Sequence, residues 1–558
     1  MRAADLIARS FEAHGVTRAY CVPGESYLAL LDALHDSTVK VVVCRHESGA
    51  GFMAVGEAKM TGRAGVFMVS RGPGATNGSI AVHVAEQDAT PLVVIIGQVA
   101  RDERGRGAFQ EMDYTQVFGS VAKGVFEVHD AGRIGETLAR AFHLAESGVP
   151  GPVVISVPED MLRDETDVPL PAPYPVHRPQ HSAQHAVALQ ELIDQAERPI
   201  LLAGSALRGT RGAAALARFA EAQRIPVATV WKAQDVFDNR SGLYAGHIGF
   251  GTPAGHRKIL AEADLIIAAG TRLGDVASLN YTFPRAPEPL QKLVHIYPDN
   301  GPIGRVFRTD LGIVAEPAAL LEALGQRVRV ASSAREAWIS SVHGFIRGFM
   351  AFTSPNPDDG VDFGEAIMAL AEFAPEDAVI TTDAGNISTW VHRHYPMTPK
   401  NLLIGVVGGA MGFGVPTAVA ASLAAPHRMA ITVVGLPWTP AALRIALYTL
   451  LPFGQRVEDR SKLFDHFTRT ALSLNKLGKL GADPFETPKL SVRTEVWPAA
   501  TAKPEPSPVR QQHRMEEISE RHVACKTHLR HLPVLCHDVS ARLPANLIQR
   551  LAYENTCL

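Results

Sequence analysis

Short, wholly apolar runs separated by helical patterns recur along residues 1–435, and this alternation constrains the fold more than any other feature. In the first 165 residues the runs fall at 19–22, 39–44, 65–70, 91–97 and 152–157. Strands apolar on both faces suit a parallel sheet buried between two layers of helices. VPLPAPYPVHRPQ (168–180) reads as a Pro-rich linker. A second α/β unit follows, with strands at 200–204, 226–230, 263–270 and 292–299. After the loose SPNPDDG (354–360), a third unit ends in a strand at 430–435. The expected fold is therefore α/β, with three doubly wound parallel-sheet domains at 1–165, 187–328 and 359–435. The third of these is incomplete.

Beyond Gly435 the character changes. Residues 1–435 hold 44 of the 47 glycines and the last 123 residues hold three. Lys and Arg against Asp and Glu run 37 to 45 before the break and 17 to 12 after it, a shift from net −8 to net +5. The strand–helix alternation stops. Residues 436–558 read as an irregular, unrelated-looking tail, the kind of segment a fusion or an altered reading frame produces.

Bulk properties exclude several classes. A net charge of −3 gives no basic surplus for nucleic acid or an anionic membrane. Five cysteines in 558 residues make no disulfide framework and suit a reducing compartment. No apolar run reaches membrane-span length. The opening MRAADLIARSFEAHGV is amphipathic, without an apolar signal core. A cytoplasmic protein is expected.

The residues that carry chemistry cluster in CRHESGAGFMAVGEAKMTGRAGVFMVSRGPGATN (44–77). Glu47 follows a strand and stands beside Gly49 and Gly51 at the opening of a helix. A partly desolvated carboxylate there is either a cap or a proton-handling group. Gly72, Pro73 and Gly74 also follow a strand and open a helix. Such a turn cradles an anion or simply reverses the chain.

Taken together, VPGESYLALLDAL (22–34), RHESGAG (45–51), GEAKMTGRAGV (56–66), RGPGATN (71–77) and GAFQEMD (107–113) resemble the first domain of thiamine-diphosphate enzymes of the acetolactate synthase type. AGTRLGD (269–275) resembles part of the family's central domain. TDAGN (382–386) and GGAMGFGVPTAVAASLA (408–424) resemble its third. The likeness spans about residues 1–435.

The resemblance implies roles. Glu47 matches the glutamate that pairs with a ring nitrogen of the cofactor's aminopyrimidine and favours the tautomer that removes the thiazolium C2 proton. Met411 matches the apolar wedge that bends the cofactor. Pro73, Asn77, Gly385, Asn386, Gly409 and Ala410 match positions around the cofactor, several through backbone. Gly24 matches a loop glycine near the reacting carbon. Phe109, Gln110 and Lys123 match positions around substrate. Glu25 stands where many acetolactate synthases have Gly, and His83 reads as a structural histidine.

The implied activity is decarboxylation of pyruvate or another 2-oxo acid followed by carboligation; a simple 2-oxo-acid decarboxylase is the alternative. The implied assembly is a homodimer or homotetramer, with each site between the first domain of one subunit and the third of another. FAD binds the central domain of some relatives, where Arg272 could line its site.

One part of the pattern is missing. In the family a strand ending VVG is followed at once by Asp-Gly, and an Asn comes later; these hold Mg²⁺, which holds the diphosphate. Here Leu436 and Pro437 follow Gly435, and Asn475 has no Asp before it at the right place. The metal-ligand set is therefore expected to be absent, with an exposed edge on the third sheet, and the chain to be impaired or a non-catalytic remnant. In the tail, Cys525, His528, His531, Cys536 and His537 are weak zinc candidates.

Overall fold

The computed structural model describes residues 1–352 and 363–436, and two further strands at Arg444–Leu450 and Val534–His537. Three sheets organise it.

The first comprises β1 (Arg18–Cys21), β2 (Lys40–Val43), β3 (Gly65–Val69), β4 (Leu92–Gln98), β5 (Gly124–Glu127) and β6 (Pro152–Pro158), all parallel, in the order β2-β1-β3-β4-β6-β5. The central strands β3, β4 and β6 are buried along their whole length, as their unbroken apolar runs require. The second sheet comprises β7 (Pro199–Ala203), β8 (Val227–Val230), β9 (Tyr244–Ile248), β10 (Leu265–Ala269), β11 (Lys292–Tyr297) and β12 (Leu311–Val314), ordered β12-β11-β10-β7-β8-β9. Strands β5, β9 and β12 had no counterpart in the sequence expectation. They are short edge strands, four or five residues each, and β5 and β12 lack a fully buried face.

The third sheet has three parallel strands, β13 (Val379–Thr382), β14 (Leu402–Ile404) and β15 (Ala430–Leu436), in the order β14-β13-β15. The expectation of an exposed edge on β15 is corrected here. An antiparallel strand, β16 (Arg444–Leu450), pairs with β15 along its length, and β17 (Val534–His537) pairs with β16. Backbone groups at a sheet edge are a ready template for another strand, and this chain fills the place with its own residues beyond the break. Asn475, Cys525, His528 and His531 lie outside the described residues.

First and third units pack through two helices, Glu47–Thr61 and Gly414–Ala424. Gly56 makes the approach possible, since a Cβ there would stand 3.0 Å from Thr417 Cα. Phe52 meets Phe413 edge-on at 5.3 Å between ring centroids. Around this seam the three units share buried charges. Lys59 pairs with Asp88 and donates to Gly405 O at 2.8 Å, while Asp88 accepts from Val407 N at 2.7 Å. From the middle unit, Arg208 pairs with Asp235 at 2.8 Å, Asp235 accepts from Leu403 N at 3.0 Å, and Lys232 Nζ donates to Thr382 Oγ1 at 2.9 Å. Each buried ion is paired or hydrogen-bonded, as desolvated charge requires.

Candidate functional site

In an open parallel sheet, ligands settle beyond the carboxyl ends of the strands where the strand order reverses. In the first sheet that point lies between β1 and β3. The loops after β1, β2, β3 and β4 bring Gly24, Glu47, Arg71–Asn77 and Gln110 to this one edge.

Glu47 is the first residue of its helix and is half-buried. Asn77 Nδ2, from the helix Gly72–Gln87, donates to Glu47 Oε2 at 3.1 Å. A Cβ on Gly74 would stand 3.6 Å from Glu47 Oε1, so a larger side chain there would crowd the carboxylate. Glu57 in the same helix makes an instructive contrast. Arg18 binds one of its oxygens at 2.9 Å and the Tyr20 hydroxyl donates to the other at 2.5 Å. Glu57 is thus committed to the core, whereas Glu47 meets a neutral amide and keeps an oxygen for a ligand.

Gly24 packs its backbone against Ser70, where a Cβ would come within 2.7 Å of Ser70 Cβ. Gln110 holds a left-handed backbone at φ +64°, and its carbonyl accepts from Gly72 N at 3.0 Å. Arg71, which the motif reading passed over, ties this loop edge together. It is nine-tenths buried, pairs with Glu25 at 3.1 Å and Glu159 at 3.4 Å, and Nε donates to Gln110 Oε1 at 3.4 Å. A cation just before a helix N-terminus is unfavourable for the helix dipole, and that was the available signal. Glu25 is one of its counter-ions. Pro73 and Asn77 lie exposed on the first turns of the same helix, and Phe109 is 78% exposed.

Lys123 is not part of this assembly. It precedes β5 and lies at the opposite, amino-terminal edge of the sheet, where Nζ donates to Leu144 O at 2.5 Å and Ser147 O at 2.6 Å. Burial lowers its pKa to about 8. Within one chain the parallel strand direction thus sets Lys123 apart from Gly24, Glu47 and Gln110.

The second group of candidates sits on the third sheet, whose order reverses between β13 and β15. Gly385 and Asn386 follow β13, and the loop after β14 carries Gly408, Gly409, Ala410 and Met411. Asp383 clamps this loop. Its carboxylate accepts from Gly412 N at 3.1 Å, Phe413 N at 2.6 Å and Gly414 N at 2.9 Å. Gly385 and Gly409 have φ of +100° and +73°, and a Cβ on either would meet nothing within 4 Å. Met411 is 68% exposed, Ala410 is buried, and His83 from the first unit lies beside Gly408.

These residues fit the two ends of thiamine diphosphate: a half-buried carboxylate with a free oxygen, and a glycine loop with an apolar side chain standing out. The residues described do not fit Mg²⁺. Strand β15 ends on Leu436 at the reversal point, Asp383 is already taken by three amides, and no cluster of three or more candidate ligand residues occurs among the described residues. In the middle unit, Gly204 lies close against Gly270 at the reversal point between β7 and β10, and Arg272 pairs with Glu86 at 3.2 Å. No helix among the described residues is long and apolar enough to cross a membrane.

Comparison with known proteins bears on about three quarters of the chain. Residues 1–117 match the N-terminal TPP binding domain of thiamine pyrophosphate enzymes, residues 187–324 the central domain, and residues 383–435 the C-terminal TPP binding domain. The acetolactate synthase large subunit of Parasynechococcus marenigrum is 32% identical over 436 residues, 76% of this chain and 70% of the relative. That of Lactococcus lactis is 30% identical over 436 residues, 77% and 75% of the two chains. The acetolactate synthase isozyme 2 large subunit of Escherichia coli is 30% identical over 441 residues, 78% of each. With three domain matches in register and relatives at this level over most of both lengths, the chain belongs to the thiamine-pyrophosphate-dependent enzymes of the acetolactate synthase large-subunit type.

Proposed function

We propose that this chain retains the protein half of acetolactate-synthase-like chemistry, decarboxylation of pyruvate or another 2-oxo acid followed by carboligation, and has lost the anchor that holds the cofactor's diphosphate. The observation that carries the reading is the end of β15. Leu436 closes the strand at the reversal point of the third sheet, where the family places an aspartate, and the family match itself ends at residue 435.

Bound thiamine diphosphate supplies the electron sink for decarboxylation. The chain's own residues do the rest. Glu47, aimed by Asn77, holds a proton against a ring nitrogen of the cofactor. Met411, standing out from its loop, would lie against the cofactor, and the glycines at 385 and 409, with Ala410, would let backbone approach it. Gly24, Gln110 and Phe109 border the reacting end, with Arg71 fixing the Gln110 loop. Pro73 shapes the turn that presents Asn77. Without Mg²⁺ ligands, the diphosphate has no counter-charge, and binding is weak.

A homodimer or homotetramer belongs to this reading. Met411 at 68% and Phe109 at 78% exposure are large apolar side chains that a second copy would cover. A cytoplasmic setting accords with the free thiols of Cys21 and Cys44.

The same observation at Leu436 favours a second reading, a non-catalytic remnant that keeps the fold and its subunit contacts. A chimera separates the two. Replacing residues 436–558 by the Asp-Gly-containing C-terminal part of a relative restores thiamine diphosphate binding and turnover of pyruvate if the first reading holds. A folded chimera that still fails to bind shows that the missing loop was not the cause.

A further inference from the structure

Between β9, the helix Ser333–Met350 and the helix Ile387–His394 lies a cavity of about 380 Å³. Its volume is that of a pocket for a small organic molecule. Phe250, Phe349 and Trp390 form much of its wall, and His247, His256, His392 and Arg393 are its basic side chains. Among the described residues no carboxylate lines it.

Several buried polar groups here are unsatisfied. His392 is 5% exposed, and neither of its ring nitrogens has a hydrogen-bond partner. His247 Nε2 and Trp231 Nε1, both buried, also lack one. The rings are nevertheless tightly organised. His247 stacks on His392 at 4.8 Å between centroids, and Trp231 packs edge-on to His392 at 4.8 Å and to Phe250 at 5.1 Å. Buried polar atoms are almost always paired, and those that are not call for an explanation. A packed core would have placed apolar rings here; a ligand supplies the missing partners.

Charge narrows the ligand's class. Lys232 stands behind the wall with Nζ 4.5 Å from the Trp231 ring. The Arg393 guanidinium, which lines the cavity, lies 4.1 Å over Phe349 while Nε donates to the Phe349 carbonyl at 2.9 Å. Cations without a lining acid suit an anion, and flat aromatic walls suit a planar body.

We infer that this cavity binds a small aromatic carboxylate, its ring between Phe250 and Trp390 and its carboxylate at His392 and Arg393. The cavity shares Asn386 with the thiamine diphosphate residues and none of the others. The inference stands whether or not the chain binds that cofactor.

Titration calorimetry of the full chain with benzoate, without thiamine diphosphate, tests it. Benzoate is expected to bind with a Kd below about 1 mM, and the neutral isostere benzamide at least about tenfold more weakly. His392→Phe, which keeps the ring stack, and Phe250→Ala, at a side chain that is mostly exposed and so dispensable for folding, should each weaken benzoate by about tenfold. Circular dichroism verifies that both variants are folded. Absence of binding, equal affinity for benzamide, or wild-type affinity in both variants would overturn the inference.

Discussion

Asn77 Nδ2 reaches across from one helix N-terminus to donate to Glu47 Oε2, at 3.1 Å, on another. The contact separates Glu47 from Glu57 ten residues on, whose oxygens are held by Arg18 and Tyr20. One carboxylate is a structural anchor and the other is available. In the chimera that restores the Asp-Gly loop, Glu47→Gln should lower kcat by about 100-fold or more while leaving cofactor affinity nearly unchanged. Steady-state kinetics with pyruvate, beside calorimetry, reads both numbers.

Gly56 sets the spacing of the first and third units. Gly56→Leu places a side chain where a Cβ already meets Thr417 Cα at 3.0 Å. It should destabilise the chain by about 1–3 kcal/mol, read by urea unfolding.

The Lys59–Asp88 pair is buried in the same seam, and burial lowers the Lys59 pKa. Asp88→Ala leaves the ammonium without its partner and Val407 N without an acceptor. A loss of about 3–5 kcal/mol is expected. Lys59→Met combined with Asp88→Leu should recover part of it, because no charge is then stranded. A double-mutant cycle measured by urea unfolding gives the coupling.

Acid should weaken the fold through buried imidazoles. Burial lowers the pKa of His247 to about 3 and of His256 to about 4, from 6.5. Between those values and 6.5 the unfolded chain binds protons that the folded chain does not. Stability therefore falls as pH drops below 6.5, by about 1.4 kcal/mol per pH unit for each such histidine. His256→Leu should flatten the slope of unfolding free energy between pH 6 and pH 4.5 by about one such increment, measured by urea titration at each pH. An unchanged slope would mean that His256 is protonated in the fold.

Much of this was legible in the sequence because the central strands are apolar on both faces and so announce themselves. Strands β3, β4, β6, β7 and β10 fall within a residue or two of their expected places. Edge strands β5 and β12 carry mixed burial and give no such signal. Motifs placed Glu47, Asn77, Gly385 and Gly409 at strand ends, where the fold puts them. They could not show that Lys123 faces the far edge, since strand direction and helix ends decide that. The buried ions Lys59, Asp88, Lys232 and Asp235 come from different units, and only the tertiary seam brings them together. The unpaired His392 is likewise invisible until β9 and its own helix meet. The edge of β15 was misjudged because nothing in residues 436–558 continues the strand–helix alternation, although Arg444–Leu450 pairs there.

The most direct test is calorimetric titration of the purified full chain with thiamine diphosphate, with and without Mg²⁺. With Leu436 in place of an acidic ligand, the expected result is a Kd no tighter than about 1 mM in both conditions, with no gain from the metal. Micromolar binding that depends on Mg²⁺ would contradict the account, because the chain would then hold metal ligands that Leu436 and the committed Asp383 do not supply.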